Sequence, residues 1–221
     1  MKKNIKGSNF KTVRQFGNYE VISPTKLPLM LHNRKVAEFT MYYFGFPTGR
    51  YEVLTKGKIE SANNPLVRIQ SACKWGIEFG SQHCDCRWQL EKAKELISKE
   101  KAGLIIYAYD HGGKGVGIRN HSLIYSEGQS RGLELVVDAY VQLGFKEDYR
   151  DYDDIVSILK HFKIKKIRLL TNSPKRIKAL KDAKIEVKRI PLEQAASENP
   201  YIIDEYKAKV TKLGHILHFK P

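Results

Sequence analysis

No run in this chain of 221 residues is long and apolar enough to read as a membrane span. Cysteine is scarce: there are three, too few and too odd in number for the paired framework of a small secreted scaffold. Acidic residues are in short supply beside basic ones, 24 against 39, which leaves a formal net charge of +15. Internal repeats, low-complexity tracts and composition shifts are missing too, so nothing marks a linker. The opening MKKNIKGSNFKTV starts basic but has no apolar run behind it, and no secretory signal is expected. These absences predict a cytoplasmic protein of one compact domain, residues 1–221, long enough to bury a core.

The surplus of positive charge points to anionic partners, whether nucleotides, nucleic acid or a membrane surface. A lysine-rich, merely solvated surface accounts for it equally well. Charge alone selects none of these.

Two textures follow one another along the chain. Up to about Val67, short apolar and aromatic runs (YEVIS, AEFTMYYFGF, YEVLTKG) are broken by Pro24, Pro28, Gly45, Pro47 and Gly49, a pattern of strands and hairpins. From Trp88 the pattern turns mixed. WQLEKAKELISKEKAG has helical periodicity with Gly103 as its stop, LIIYAY is a buried strand, and HGGKGVG is a glycine-rich loop leading into a helix. LELVVDAYV reads as a strand and DYDDIVSILKHF as a helix. KIRLL and IEVKRI are strands around a short helix opened by TNSP, and a last helix runs from Asn199-Pro200 to near Gly214. The fold class is therefore α/β (α+β): a β-rich first part, then mixed α/β around a central sheet. In such a fold, ligands bind at loops that follow strand ends.

The three cysteines bear on chemistry. Cys84 and Cys86 sit one residue apart in FGSQHCDCRWQL, a spacing poorly suited to a disulfide. With Cys73 they offer three soft ligands, the pattern of a catalytic zinc site with one position open to water. His83 as a fourth ligand would make the site structural, and three buried inert thiols are the plainer alternative. Gly112, Gly113, Gly115 and Gly117 offer backbone N–H groups near a helix start, suited to phosphate, or else a flexible turn.

In order along the chain, VRIQSAC, FGSQHCDCRWQL, GKGVGIRN, LGFKEDYRDY, LLTNSPKR and KLGHIL resemble the blocks of the GTP cyclohydrolase II family. The resemblance runs from about Gln15 to Leu217. It implies an enzyme of riboflavin biosynthesis that opens the imidazole ring of GTP and releases formate and pyrophosphate. By resemblance, Cys73, Cys84 and Cys86 are the Zn2+ ligands, one ion per chain. Asp148 matches the proton acceptor, Arg150 the nucleophile toward the α-phosphate, and Tyr125 a tyrosine beside the reacting ring. Arg68, Ser71, Gln89, Gly113, Lys114, Thr171 and Arg176 fall at nucleotide contacts. Mg2+ would accompany the triphosphate, and the assembly would be a homodimer with neither membrane nor nucleic acid as partner. Without the resemblance, Asp148 and Arg150 read as a surface ion pair capping a helix that begins near Asp151.

The chain departs from the family around the expected nucleotide. Gln70 replaces a histidine, Ala72 a glutamate, and Ile77 an acidic residue. Gly112-Gly113-Lys114 stands where Glu-Gly-Arg is usual, and lysine keeps the charge of arginine but not its fork. Two other readings follow: a divergent paralogue acting on another purine nucleotide or related ring, or a non-catalytic zinc protein binding nucleotide or RNA.

Overall fold

In a computed structural model that describes residues 10–195 and 198–218, the chain forms an eight-stranded mixed sheet with helices on both faces. The strands are β1 (Val13–Phe16), β2 (Tyr19–Met30), β3 (Val36–Gly45), β4 (Arg50–Lys56), β5 (Leu66–Ser71), β6 (Gly103–Ala108), β7 (Lys166–Leu170) and β8 (Glu186–Ile190). Their order across the sheet is β1-β2-β3-β4-β6-β5-β7-β8. The first four form the antiparallel meander expected of the turn-broken first part. β6 pairs antiparallel with β4 on one side and parallel with β5 on the other, which joins the meander to the parallel half. β7 and β8 continue that half in parallel.

The parallel strands place the site. β5, β6 and β7 all run the same way, so their C-terminal ends lie along one edge. The segments leaving that edge carry Cys73, the glycine-rich loop and Thr171. This is where an open α/β sheet binds its ligand.

Side chains alternate across each strand and sort the core into two faces. Val67, Ile69, Leu104, Ile106 and Leu169 pack with α4 (Asp153–His161) and α5 (Pro174–Asp182). Leu66, Ile105 and Leu170 pack on the other side with Ala93 and Ile97 of α1 (Cys86–Ser98). By the same alternation, Arg68 and Gln70 share the α1 side and Ser71 turns toward α4.

α5 starts as its TNSP sequence predicts: the Ser173 side chain accepts from the Arg176 N–H, with Pro174 in the first turn. α2 (Gly117–Ser130) follows the glycine-rich loop, and α6 (Ile203–Leu213) ends at Gly214 in the left-handed conformation. Among the described residues no helix is long and apolar enough to cross a membrane.

The strand expected in LELVVDAYV is not formed. Residues 133–137 make a turn that leads into the short helix α3 (Asp138–Gln142). The Glu134 carboxylate accepts from the N–H groups of Val136 and Val137, the latter at 2.9 Å, so these amides are satisfied without a neighbouring strand. Ala139 and Tyr140 bury against Ile124 of α2. Local hydrogen bonding has overridden the β propensity of two adjacent valines.

Candidate active site

The turn after β5 brings the cysteines together. Cys73 ends the extended segment, a wide turn over Lys74–Glu78 follows, and Cys86 is the first residue of α1. The three sulfurs lie within 4.8 Å of one another, Cys73 and Cys84 at 3.7 Å. Among the described residues this is the one group of three such side chains able to share a metal ion. His83 is exposed and outside the group. Contact with Cys73, then burial, pushes the Cys84 thiol up to about 12, and Cys86 is raised as well. Crowding three thiols this way disfavours their thiolates, and a divalent cation between them reverses that cost. The soft, half-buried donor set suits zinc.

Gly76 makes that crowding possible. A β-carbon there would collide with Cys84 Sγ and sit 3.2 Å from Cys73 Sγ. Gly76→Ala is expected to weaken zinc binding on the order of 10–100-fold with all three ligands intact. Competition with a chromophoric chelator checks this, and an unchanged affinity would show that the turn can shift.

The thiols open onto a cavity of about 640 Å³, a size that suits a nucleotide. Arg68, Ser71 and Gln89 line it from β5 and α1, Gly113, Lys114 and Tyr125 from the loop and α2, and Thr171 and Arg176 from the β7 end. Arg150 reaches the same space. Of the residues singled out in the sequence, only Asp148 is set back from it. It grips Arg150 in a two-pronged pair, Oδ1 to Nε and Oδ2 to Nη2, each at 2.9 Å, while Arg150 Nη1 donates to Ser71 Oγ at 3.3 Å. This pair does not cap a helix, since α4 begins only at Asp153. Burial would raise Asp148, but Arg150 together with Lys175 holds it well below the usual carboxylate range.

A second network braces the floor. Arg68 donates to Leu170 O at 3.0 Å, to Gln70 Oε1 at 3.1 Å and to the Gln89 side chain. Gln89 Nε2 in turn donates to the buried Asp85 at 2.6 Å, as does the Tyr206 hydroxyl at 2.7 Å. Gln70 accepts from Arg68 through Oε1 and donates Nε2 to Ser71 O at 3.1 Å. Arg176 donates Nη1 to Ile69 O at 3.1 Å, while its enclosed Nε has no hydrogen-bond partner. Lys114 lies over the Tyr140 ring at 4.5 Å and donates to Val136 O, and burial with the Arg150 charge lowers it to about 8.

The cavity's cations are Arg50, Arg68, Lys74, Lys114, Arg150, Arg176 and Lys209, against the carboxylates Asp85, Asp110 and Glu205. That excess, with a donor on Arg176 left unpaired, favours a polyanion. Ala72 and Gly112, where the resemblance led to an expectation of carboxylates, are neighbours: a β-carbon on Gly112 would lie 3.9 Å from that of Ala72.

Sequence reasoning missed an aromatic wall and the contribution of α6. Trp75, His121 and Tyr125 pack together, with ring centres 4.6 to 5.1 Å apart, and His121 Nδ1 lies 3.1 Å from the Tyr140 hydroxyl. Glu205 and Lys209, one turn apart on α6, and His215 beyond it close the far side. The only hint was KLGHIL, which marked the segment without naming a side chain.

A sheet edge carrying three convergent thiols above a cationic cavity of nucleotide size defines an α/β protein with a metal-competent centre. Comparison with known proteins narrows that class. The family model described as GTP cyclohydrolase II matches residues 26–191. GTP cyclohydrolase-2 of Archaeoglobus fulgidus is 40% identical over 175 residues, 78% of this chain and 44% of that protein. The riboflavin biosynthesis protein RibBA of Aquifex aeolicus is 40% identical over 171 residues, 76% of this chain and 41% of that one. GTP cyclohydrolase-2 of Pseudomonas putida strain W619 is 38% identical over 199 residues, 89% of this chain and 92% of that one. The chain therefore spans less than half the length of the first two and nearly all of the third. It belongs to the GTP cyclohydrolase II family.

Proposed function

We propose that this protein is a zinc-dependent cyclohydrolase that opens the imidazole ring of GTP, releases formate and pyrophosphate, and acts in riboflavin biosynthesis as a cytoplasmic homodimer. The observation that carries the reading is the opening of the Cys73–Cys84–Cys86 group onto the cationic cavity. Bound by these thiolates, zinc would supply Lewis-acid activation of water at neutral pH. Mg2+ would arrive with the triphosphate.

The chain's own residues divide the remaining work. Arg150, Arg176 and Lys114 are placed to neutralise phosphate oxygens, and the backbone N–H groups around Gly113 add donors. Tyr125 lines the same cavity as the thiols, and burial raises its hydroxyl, so it stays protonated and serves as a hydrogen-bond donor at the ring. Arg150 acts as a nucleophile only in its neutral form. Its hold on Asp148 outweighs burial and keeps it cationic, which supports a clamp on the α-phosphate instead.

The adjacency of Ala72 and Gly112 favours a second reading, a shifted nucleotide preference, because two of the carboxylates expected from the resemblance are lost at one spot. A site deprived of a polar partner changes discrimination more than overall binding. The test is to incubate the zinc-loaded protein with a panel of purine nucleoside triphosphates and follow formate and pyrophosphate together. Efficient conversion of GTP supports the plain family activity, whereas conversion of another nucleotide alone supports the shift. Steeply salt-dependent RNA binding without turnover would overturn both.

A further inference from the structure

We propose that the segment after α6, residues 214–218, is a strap that completes the phosphate end of the cavity, and that His215 on its inner side donates a hydrogen bond to a phosphate of the bound nucleotide. The proposal rests on the nucleotide reading above, but not on ring opening.

The strap begins where α6 stops. Gly214, in the left-handed conformation, turns the chain back, and the His215 N–H closes the turn by donating to Lys209 O at 3.0 Å. The segment then crosses the loop that joins β7 to α5. A β-carbon on Gly214 would lie 3.9 Å from Cγ of Pro174, at the start of α5. The Ile216 N–H donates to Asn172 O at 2.9 Å, and Ile216 O accepts from Arg189 Nη1 at 3.2 Å. Asn172 is itself fixed, since its side chain donates to Leu192 O at 2.7 Å and accepts from the Leu192 N–H at 3.2 Å. Glu193 holds the far end, accepting from the His218 N–H at 2.9 Å and lying 2.7 Å from the His218 ring. None of these bonds uses the imidazole of His215.

The register of the strap is informative. Leu213, His215 and Leu217 line the cavity, while Ile216 turns outward and is 43% exposed. A segment that merely covered a core would bury the isoleucine and leave the histidine in water. Here a polar ring occupies the middle of an apolar inner face. Neither of its nitrogens has a hydrogen-bond partner among the described residues. Burial first, then the positive charges of Lys209 and Arg176, lower the ring to about 3. The imidazole is therefore neutral, with one N–H to donate.

The loop that the strap crosses is what points to phosphate. Thr171, Asn172 and Ser173 line the cavity there, and Arg176 of α5, only 6% exposed, keeps one guanidinium N–H unpaired. A buried guanidinium short of an acceptor and an imidazole short of any partner thus stand on two segments joined at Asn172. An anionic oxygen is the acceptor that both call for, and bonds to a charged group are the stronger kind. The strap lies beyond the 26–191 stretch matched by the family model.

The test uses inorganic tripolyphosphate as the probe, with its binding to the purified protein followed by titration calorimetry. His215→Ala should weaken binding on the order of tenfold or more, and His215→Gln, which keeps a side-chain N–H, should recover part of the loss. Ile216→Pro leaves His215 in the chain but deletes the N–H that Asn172 accepts, so it should weaken binding to a similar degree. A second readout is amide hydrogen exchange across residues 214–218. Tripolyphosphate should slow it in the parent protein and leave it nearly unchanged in His215→Ala. Equal affinity in parent and His215→Ala would overturn the proposal. So would a loss confined to Ile216→Pro, which would make the strap a wall and its histidine a bystander. A parent that fails to bind tripolyphosphate would remove the phosphate site and the proposal with it. A parent that binds the probe with the expected losses yet frees no formate from any purine nucleotide would support the strap and overturn ring opening alone.

Discussion

A Cys84→Ser protein is expected to emerge from purification almost free of zinc and to release no formate from GTP, with its far-ultraviolet spectrum unchanged. The sulfur of Cys84 lies 3.7 Å from that of Cys73, in the turn that precedes α1, and no fourth side chain of the described residues joins the three. Serine puts a hard, neutral hydroxyl where a thiolate belongs. Structural zinc binding is worth about 10–16 kcal/mol shared among its ligands, so one thiolate accounts for roughly 3 kcal/mol, more than a hundredfold in affinity. The strands beneath the turn keep their own packing, which is why the fold should survive. Metal analysis on the purified variant decides the matter. Full zinc occupancy would place the metal elsewhere.

Replacing Arg150 should have the other large effect, and two variants separate its causes. Arg150→Ala leaves Asp148, whose side chain is 13% exposed, facing only the more solvated Lys175. Breaking a buried pair from one side costs about 3–5 kcal/mol, so this variant should unfold at clearly lower denaturant. Arg150→Lys keeps a charge near Asp148 but loses the planar fork that spans Asp148 and Ser71. It should stay folded while pyrophosphate release drops on the order of a hundredfold. Pyrophosphate release at the parental rate from Arg150→Lys would mean that the guanidinium does not serve the phosphates.

Much of this site was legible because its residues sit in short blocks whose local structure is itself encoded. Cys84 and Cys86 precede a strongly periodic helix, and Thr171 and Arg176 lie in a segment whose proline and serine announce a helix start. The LELVVDAYV segment was misread because Glu134 satisfies backbone amides that a pattern of apolar residues cannot reveal. Asp148 was legible as a partner of Arg150, but its recessed position was not. Which side of an ion pair faces a cavity depends on packing from β5 and α5, here through Ser71 and Lys175, and not on the local sequence. Glu205 and Lys209 were invisible for the opposite reason. An i, i+4 acid–base pair is the commonest surface decoration of a helix, and only tertiary packing sets it in the wall of the cavity onto which the thiols open.

The order in which the walls of the cavity are made has a consequence during synthesis. The last cysteine, Cys86, leaves the ribosome more than a hundred residues before Glu205. At about 5–20 residues per second, that interval is on the order of ten seconds. A nascent chain in that interval already carries all three thiols, but α6, which lines the far side of the cavity, has not yet been made. If an ion binds these thiols during synthesis, it would meet them with the α6 side of the cavity still open.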